Sequence, residues 1–243
     1  MAGTLTGANL ILRIEDILQD PANTRWSEAE LLRYLNDGQR EIVNFRPEAS
    51  ADHSNIALVV GTEQTIPSSA LRLIKVVRNM SAAGGSATGK RAISLVDMDI
   101  IDAQEPDWHD PTVTGDAAHT TTVKHYMFDE DDPRRFYVYP GASTTSTFVE
   151  VVTSANPTDL SSTSSTIYID DVYGNALIDY VVYRCLLKDA EFAGNAQRAG
   201  SHYQLFMASV GAGAQVQFAT SPNQDPVGIP TSAVPQTPMP PGA

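Results

Sequence analysis

The residues best suited to chemistry fall in a few short stretches. The run "DEDD", Asp129 to Asp132, could hold a divalent cation, because hard cations take several oxygen ligands. It lacks the alternate spacing and turn glycine of a calcium loop, and Pro133, Arg134 and Arg135 follow it. A solvated hairpin tip, neutralised by the two arginines, is the expected arrangement. His109, His119 and His125 stand near carboxylates in "DWHD" and "HTTTVKHY". Their spacings match no common zinc motif, so separate loop histidines are expected. "GGSATGK", Gly84 to Lys90, has a faint likeness to a phosphate loop. Arg91 stands where a Ser or Thr should follow the lysine, and no long helix comes next. It reads as a mobile loop. Cys185, the sole cysteine, lies in "YVVYRCLLK" and reads as a small buried hydrophobe rather than a nucleophile. Acidic pairs such as Asp99 and Asp102 could work as acid and base, but nothing places them around a pocket. The expectation is therefore no catalytic, cofactor-binding or metal-ligating residue, no cofactor and no enzyme activity.

Composition narrows the classes further. The chain has 243 residues, 42% hydrophobic and 19% charged, enough for a real core. No apolar run approaches the roughly 20 residues of a bilayer span. The opening "MAGTLTGANLILRIEDILQD" has no basic region, and Arg13, Glu15 and Asp16 cut its apolar run, so no signal peptide is expected. With one cysteine, no internal disulfide can form, which suits a reducing cytoplasm. The net charge of −13 should repel DNA and anionic membranes. Much of it sits between Leu95 and Asp132. That segment holds Asp97, Asp99, Asp102, Glu105, Asp107, Asp110, Asp116 and the "DEDD" run, against one basic residue, Lys124. Arg135 near Phe136, Tyr137 and Tyr139 is a weak nucleic-acid signal in such surroundings, and strand packing explains it better.

The elements that must position these residues read as helix, helix, strands, helix, helix, tail. The first helix is expected from about Ala8 to Gln19, with Leu10, Ile14, Ile17 and Leu18 on one face and Asp20-Pro21 as its stop. The second is the best specified. Ser27 is its expected N-cap, Glu30 completes a capping box, and Trp26 can staple onto Leu31. Leu31, Leu35, Gly38 and Ile42 form a stripe, with Leu32 and Val43 beside it. Gly38 costs about 1 kcal/mol against alanine, so another helix should approach closely there. Pro47 ends the element. Its outward Arg33, Asp37 and Arg40 are candidate subunit contacts.

From Asn55 to Ile169 the apolar period shortens to two. "NIALVVGTEQTIP" reads as a hairpin around Gly61, and Leu71 to Met80 as a strand. Ser94 to Asp102 reads as a short helix capped by Ser94. "VKHYMF" and "RFYVYP" form a hairpin, and "STFVEVVT" and "STIYI" supply two more strands. Asp170-Asp171 then cap a helix that is apolar nearly all round from Ala176 to Leu187, as a central buried helix should be. Its ionisable Asp179 and Arg184 should be paired within the bundle or sit at a subunit contact. A fourth helix is expected from Asn195 to Val210. Gly211 to Ala243 is rich in proline and nearly uncharged, and reads as an extended tail. Pro222, Pro226, Pro230, Pro235 and Pro238 mark it as a candidate docking strap. The expected fold class is α+β. Residues 1–54 and 170–210 build one helical bundle, 55–169 form a β-rich insertion, and 211–243 form the tail.

Several stretches, taken in order, resemble a known family. They are "RWSEAELLRYLNDGQREIVNFRPEA", "GTEQTIP", "VVRNM", "LVDMDIIDAQEPDWH", "DPRRFYVYP" and "YGNALIDYVVYRCLLKDAEFAGNAQRAGSHYQLF". Together they resemble the head-to-tail adaptor (connector) proteins of tailed bacteriophages, similar to the tail tubular A-type adaptors of short-tailed phages, over roughly Leu10 to Val210. The resemblance implies a structural virion protein without catalysis, made in the host cytoplasm and placed at the head–tail junction. It implies a homo-oligomeric ring, usually of twelve copies, beneath the portal protein. Such a ring extends the DNA channel, lets DNA pass without sequence-specific binding, contacts no membrane and carries tail or nozzle proteins. Two other readings remain open on the residues alone. One is a tail or capsid-surface protein that binds a host surface through the β-rich part. The other is an acidic metal-dependent enzyme.

Overall fold

The computed structural model describes residues 4–128, 131–189, 192 and 194–220. Its elements, in chain order, begin with α1 (Gly7–Leu18), α2 (Glu28–Phe45), β1 (Ala51–Ala57), β2 (Gly61–Thr65), β3 (Ala70–Met80) and β4 (Gly89–Ala92). There follow β5 (Ser94–Leu95), α3 (Met98–Gln104), β6 (His125–Phe128), β7 (Arg135–Ala142), β8 (Phe148–Ala155), α4 (Gly174–Lys188) and α5 (Asn195–Thr220). The class is mixed α+β, as the periodicities indicate.

Helices α1, α2, α4 and α5 share one core. The Thr6 hydroxyl caps α1 by accepting the Asn9 N–H at 3.3 Å, and Gln19 ends it in the left-handed region at φ 57°. Leu10 and Ile14 are buried, whereas Ile17, expected on the same face, is 40% exposed. Asp20 then folds the turn by accepting the backbone N–H groups of Thr24, Arg25 and Trp26. Trp26 and Leu31 are buried in the same cluster, as a staple requires. Ser27 stands at the N-cap of α2, but its hydroxyl makes no cap bond. The capping box is absent because the Glu30 carboxylate is engaged elsewhere, by Lys188 Nζ at 2.8 Å and the Tyr34 hydroxyl at 2.8 Å. Gly38 does mark a close approach. A Cβ there would lie 2.9 Å from Tyr180 and 3.0 Å from Leu177, both on α4.

Helix α4 is the hub of the body. Ala176, Leu177, Val181, Val182, Cys185 and Leu186 are all buried among the other helices. Asp170 accepts the Val172 N–H and caps the short 3-10 turn that leads into it. Helix α5 packs Ala199, Phe206 and Val210 onto α4. It continues to Thr220, past the end expected at Val210. Gly211 and Gly213 weaken a helix by about 1 kcal/mol each but do not break it, and no proline intervenes before Pro222. The segment 211–220 is thus helical rather than extended. Residues 221–243, including Pro222, Pro226, Pro230, Pro235 and Pro238, lie outside the described residues.

Between the second and fourth helices two four-stranded sheets stack, in orders β1-β8-β3-β4 and β2-β7-β6-β5. Leu73, Val76, Val149 and Val151 of one sheet meet Tyr126, Phe136 and Val138 of the other. The hairpin expected around Gly61 does not form. β1 pairs with β8 and β2 with β7, so the chain changes sheets at Leu58–Val60. Gln64 pins that corner, accepting the Val59 N–H and donating to the Val59 carbonyl, both at 2.8 Å. Ser94 belongs to β5, and Asp97, not Ser94, caps α3. "STIYI" is not a strand. Its Ile167 and Ile169 are buried in the helical core, and only Thr166 bridges to Thr6. The hairpin of β6 and β7, and strand β8, form where the alternation places them; β3 covers its expected range but is buried at every third residue through its bulges.

Candidate functional site

Five residues were expected to make subunit contacts, and the structure brings some of them together. Arg40 reaches Asp37 at 3.3 Å and pairs closely with Asp159 from the segment after β8. Arg184 of α4 lies 3.9 Å from Asp37, donates to the Tyr180 hydroxyl at 3.0 Å and sits 5.0 Å from the Tyr34 ring centre. Arg40, Asp37 and Arg184 thus form a partly exposed charged chain linking α2, α4 and the returning segment. Each exposed pair contributes about 0–1 kcal/mol, so the chain orients surfaces more than it stabilises them. Asp179 is separate, on the α5 side of α4, where it lies 2.9 Å from His202 Nδ1. Arg33 is exposed on α2 and is not part of this chain.

The residues that sequence reasoning missed are ones that hold the segment returning from β8 to α4 against the helical body. Asn36, on α2, accepts the Leu160 N–H at 2.8 Å and donates to the Leu160 carbonyl at 3.3 Å. Gln39, fully buried, accepts the Tyr168 N–H at 2.7 Å. These amides give backbone partners to the segment that carries the chain from β8 back to α4. Buried amides must find partners, so two polar residues on the apolar face of an amphipathic helix were the available signal. At the other crossing, the 3-10 turn Pro47–Ser50 packs on β8, and the Ser50 and Ser154 hydroxyls lie 3.0 Å apart. Asp171 clamps the N-terminus, accepting from Thr4 and Leu5. The Thr4 hydroxyl, then the Leu5 N–H, hold its carboxyl below the usual carboxylate range.

Near this joint lies an open cleft of about 890 Å³, bordered by Glu48, Asp52, Asp159, Asp170, Tyr168 and Tyr173. Its lining contains no histidine or cysteine. Elsewhere the candidate chemical groups are dispersed. His109 Nδ1 lies 2.7 Å from the Thr62 hydroxyl, and His125 Nδ1 lies 2.8 Å from the Ser94 hydroxyl. Burial, then Arg91 and Lys124, push His125 down from its ordinary value. Burial pushes the Cys185 thiol up to about 12, far from a thiolate nucleophile. Among the described residues no group of His, Cys, Asp or Glu is placed to hold a metal ion. Of the "DEDD" run, Asp129 and Glu130 lie outside the described residues, and Asp132 is 3.5 Å from Arg135.

The geometry is that of a helical body and a β sandwich joined at the 3-10 turn and the returning segment, without converging reactive groups among the described residues. The family model for the SU10 adaptor protein matches residues 5–227. The chain belongs to that family. It is therefore a phage head-to-tail adaptor, a structural virion component that associates with other head and tail proteins, and its family is not an enzyme class. Among curated proteins no match to the adaptor was found.

Proposed function

We propose that the adaptor assembles as a closed ring beneath the portal, of twelve copies as the resemblance implies. There it extends the DNA channel and carries the tail or nozzle proteins. The helical body forms the wall of the ring and the β sandwich projects toward the tail. Arg33, Asp37, Arg40, Asp179 and Arg184 lie along the subunit contacts. Residues 211–243 dock on the portal or a neighbouring copy. The reading places the protein at the head–tail junction, made in the host cytoplasm, with DNA passing unread through the channel.

The observation that carries this reading is the pinned joint between the two parts. A connector must transmit position from one partner to another, and the Asn36 and Gln39 bonds hold the returning segment to α2. The net charge of −13 also suits a channel that does not grip phosphates. Helix α5 supports a docking role for the C-terminal segment. With 26 residues it spans about 39 Å, against about 22 Å for the 15-residue α4, so its end has length to reach beyond the body. Mass measurement of portal rings mixed with the adaptor tests the reading. The expected result is a discrete mass gain equal to a ring of copies, and removal of residues 221–243 lowers its yield. Portal rings of unchanged mass contradict it.

A further inference from the structure

The two broad outer faces of the sandwich carry opposite charge. From Gln64 to Val96 the chain has no Asp or Glu, yet it holds Arg72, Lys75, Arg78, Lys90 and Arg91. In a chain of net charge −13 this is a local inversion. β3 explains how the row reaches one face. Its pairing with β8 shifts between Ala70 and Arg72, between Leu73 and Lys75, and between Val76 and Arg78. Each bulge inserts a residue, so the buried positions Ala70, Leu73 and Val76 recur every third residue. Arg72, Lys75 and Arg78, all three exposed, consequently stand on one outer face opposite Ser154, Val152 and Glu150, of which Ser154 and Val152 are buried. Leu71 and Ile74, 44% and 39% exposed, are interleaved with them. Arg78 is paired with Glu150 at 2.6 Å. Among the described residues Arg72, Lys75, Lys90 and Arg91 make no ion pair.

The other outer face is covered by an acidic cap. Ile101, Trp108 and Ala117 pack over Met127 and Tyr139, on the side of β6 and β7 away from the sandwich core. Trp108 donates to Asp102 at 2.7 Å, and His109 meets Thr62, so the cap reaches from β5 at one edge of its sheet to β2 at the other. Asp97, Asp99, Asp102, Asp107, Asp110 and Asp116 are exposed on it, and no Lys or Arg lies between Asp97 and Asp116. Leu95 and Ile100, 61% and 49% exposed, accompany them.

We propose that the bare basic face of one sandwich docks on the acidic cap of a second copy, head to tail, as a contact that closes the ring. The proposal rests on the ring reading above and supplies an interface for it. Two complementary patches on opposite sides of one body make a heterologous contact, which repeats from copy to copy and closes when the rotation allows. Opposite charge steers the encounter and fixes its register. A second copy fits better than DNA, because a phosphate backbone offers nothing apolar to Leu71 and Ile74, whereas the cap offers Leu95 and Ile100.

The test uses three full-length variants mixed with portal rings, with ring occupancy read by mass and by electron microscopy. Arg72→Glu with Lys75→Glu sets two acids in the middle of the basic row, and Asp99→Lys with Asp107→Lys sets two lysines among the acids of the cap. Each is expected to lower occupancy about tenfold or more, because like charges then face each other. All four substitutions together restore complementarity, and occupancy should return toward that of the parent. Thermal unfolding checks that the variants are folded, and the neutral pair Arg72→Gln with Lys75→Gln replaces any that is not, with a smaller loss expected. Parental occupancy in both paired variants, or no recovery in the fourfold one, overturns the interface. Weakened binding to duplex DNA with assembly intact overturns it in favour of a DNA-facing surface. A parent protein that forms no ring on portals defeats the ring reading itself, before any variant is compared.

Discussion

In the helical body, each element is held by bonds within itself and only its docking is long-range. In the sandwich, β1 and β2 depend on distant partners: Ala51 lies opposite Ser154, and Gly61 opposite Ala142. The body therefore tolerates a lost side chain as long as its helices still pack. The β6–β7 hairpin can form locally, but the sandwich closes only when β1 and β2 meet partners on the order of a hundred residues away, which is costly in chain entropy. The difference teaches where each part should yield. Strain or deletion in the sandwich should loosen it as a unit, and damage at the joint should free the two parts from each other.

The largest effect expected is at Phe136, fully buried between the sheets. Phe136→Ala should cost about 3–5 kcal/mol. Hydrogen exchange should quicken across β2, β6 and β7 while α4 keeps its protection; equal loss in α4 would show one cooperative unit instead. Next is the joint. Gln39→Ala leaves the Tyr168 N–H without its partner, at a cost of about 1–3 kcal/mol. Exchange at residues 158–170 should rise without change in the sandwich core.

Gly38→Ala is a smaller and more pointed probe. Helix propensity favours alanine by about 1 kcal/mol, but its Cβ would meet the Tyr180 ring at 2.9 Å. Overpacking of about 1–3 kcal/mol should outweigh the gain, so the melting temperature falls. A rise would mean that α4 yields easily there. The smallest effect belongs to Glu30. Lys188, then the Tyr34 hydroxyl, hold its carboxyl below its usual 4.5 against some burial. Its contribution is complete above that value and is lost as pH falls through the lower, folded-state value. With Lys188 half exposed, the pair contributes about 0.2–1 kcal/mol. Glu30→Gln should lower stability by that amount at neutral pH, and the gap should close on acidification.

The same contrast explains what could be read from residue order. The stripe of α2, the close approach at Gly38 and the buried α4 follow from local periodicity, and so does strand β8. The partners of Glu30 could not be foreseen, because Lys188 reaches it from a helix far along the chain. Gly61 misled for the same reason, since a turn residue between two strands does not say whether they pair with each other or with others. The bulges of β3 were written in the sequence as basic residues at every third position, a period that belongs to neither a regular strand nor a helix. Of the site, Asp37, Arg40 and Arg184 were visible as charges on otherwise patterned helices. Asn36 and Gln39 were hidden because their partners are backbone groups of an irregular segment.

The central claim is that this adaptor forms a ring on the portal, and electron microscopy of the protein mixed with portal rings tests it most directly. The account predicts a second ring of density, coaxial with the portal, with helical walls and sandwiches projecting away from it. Portal rings that carry no added density would contradict it.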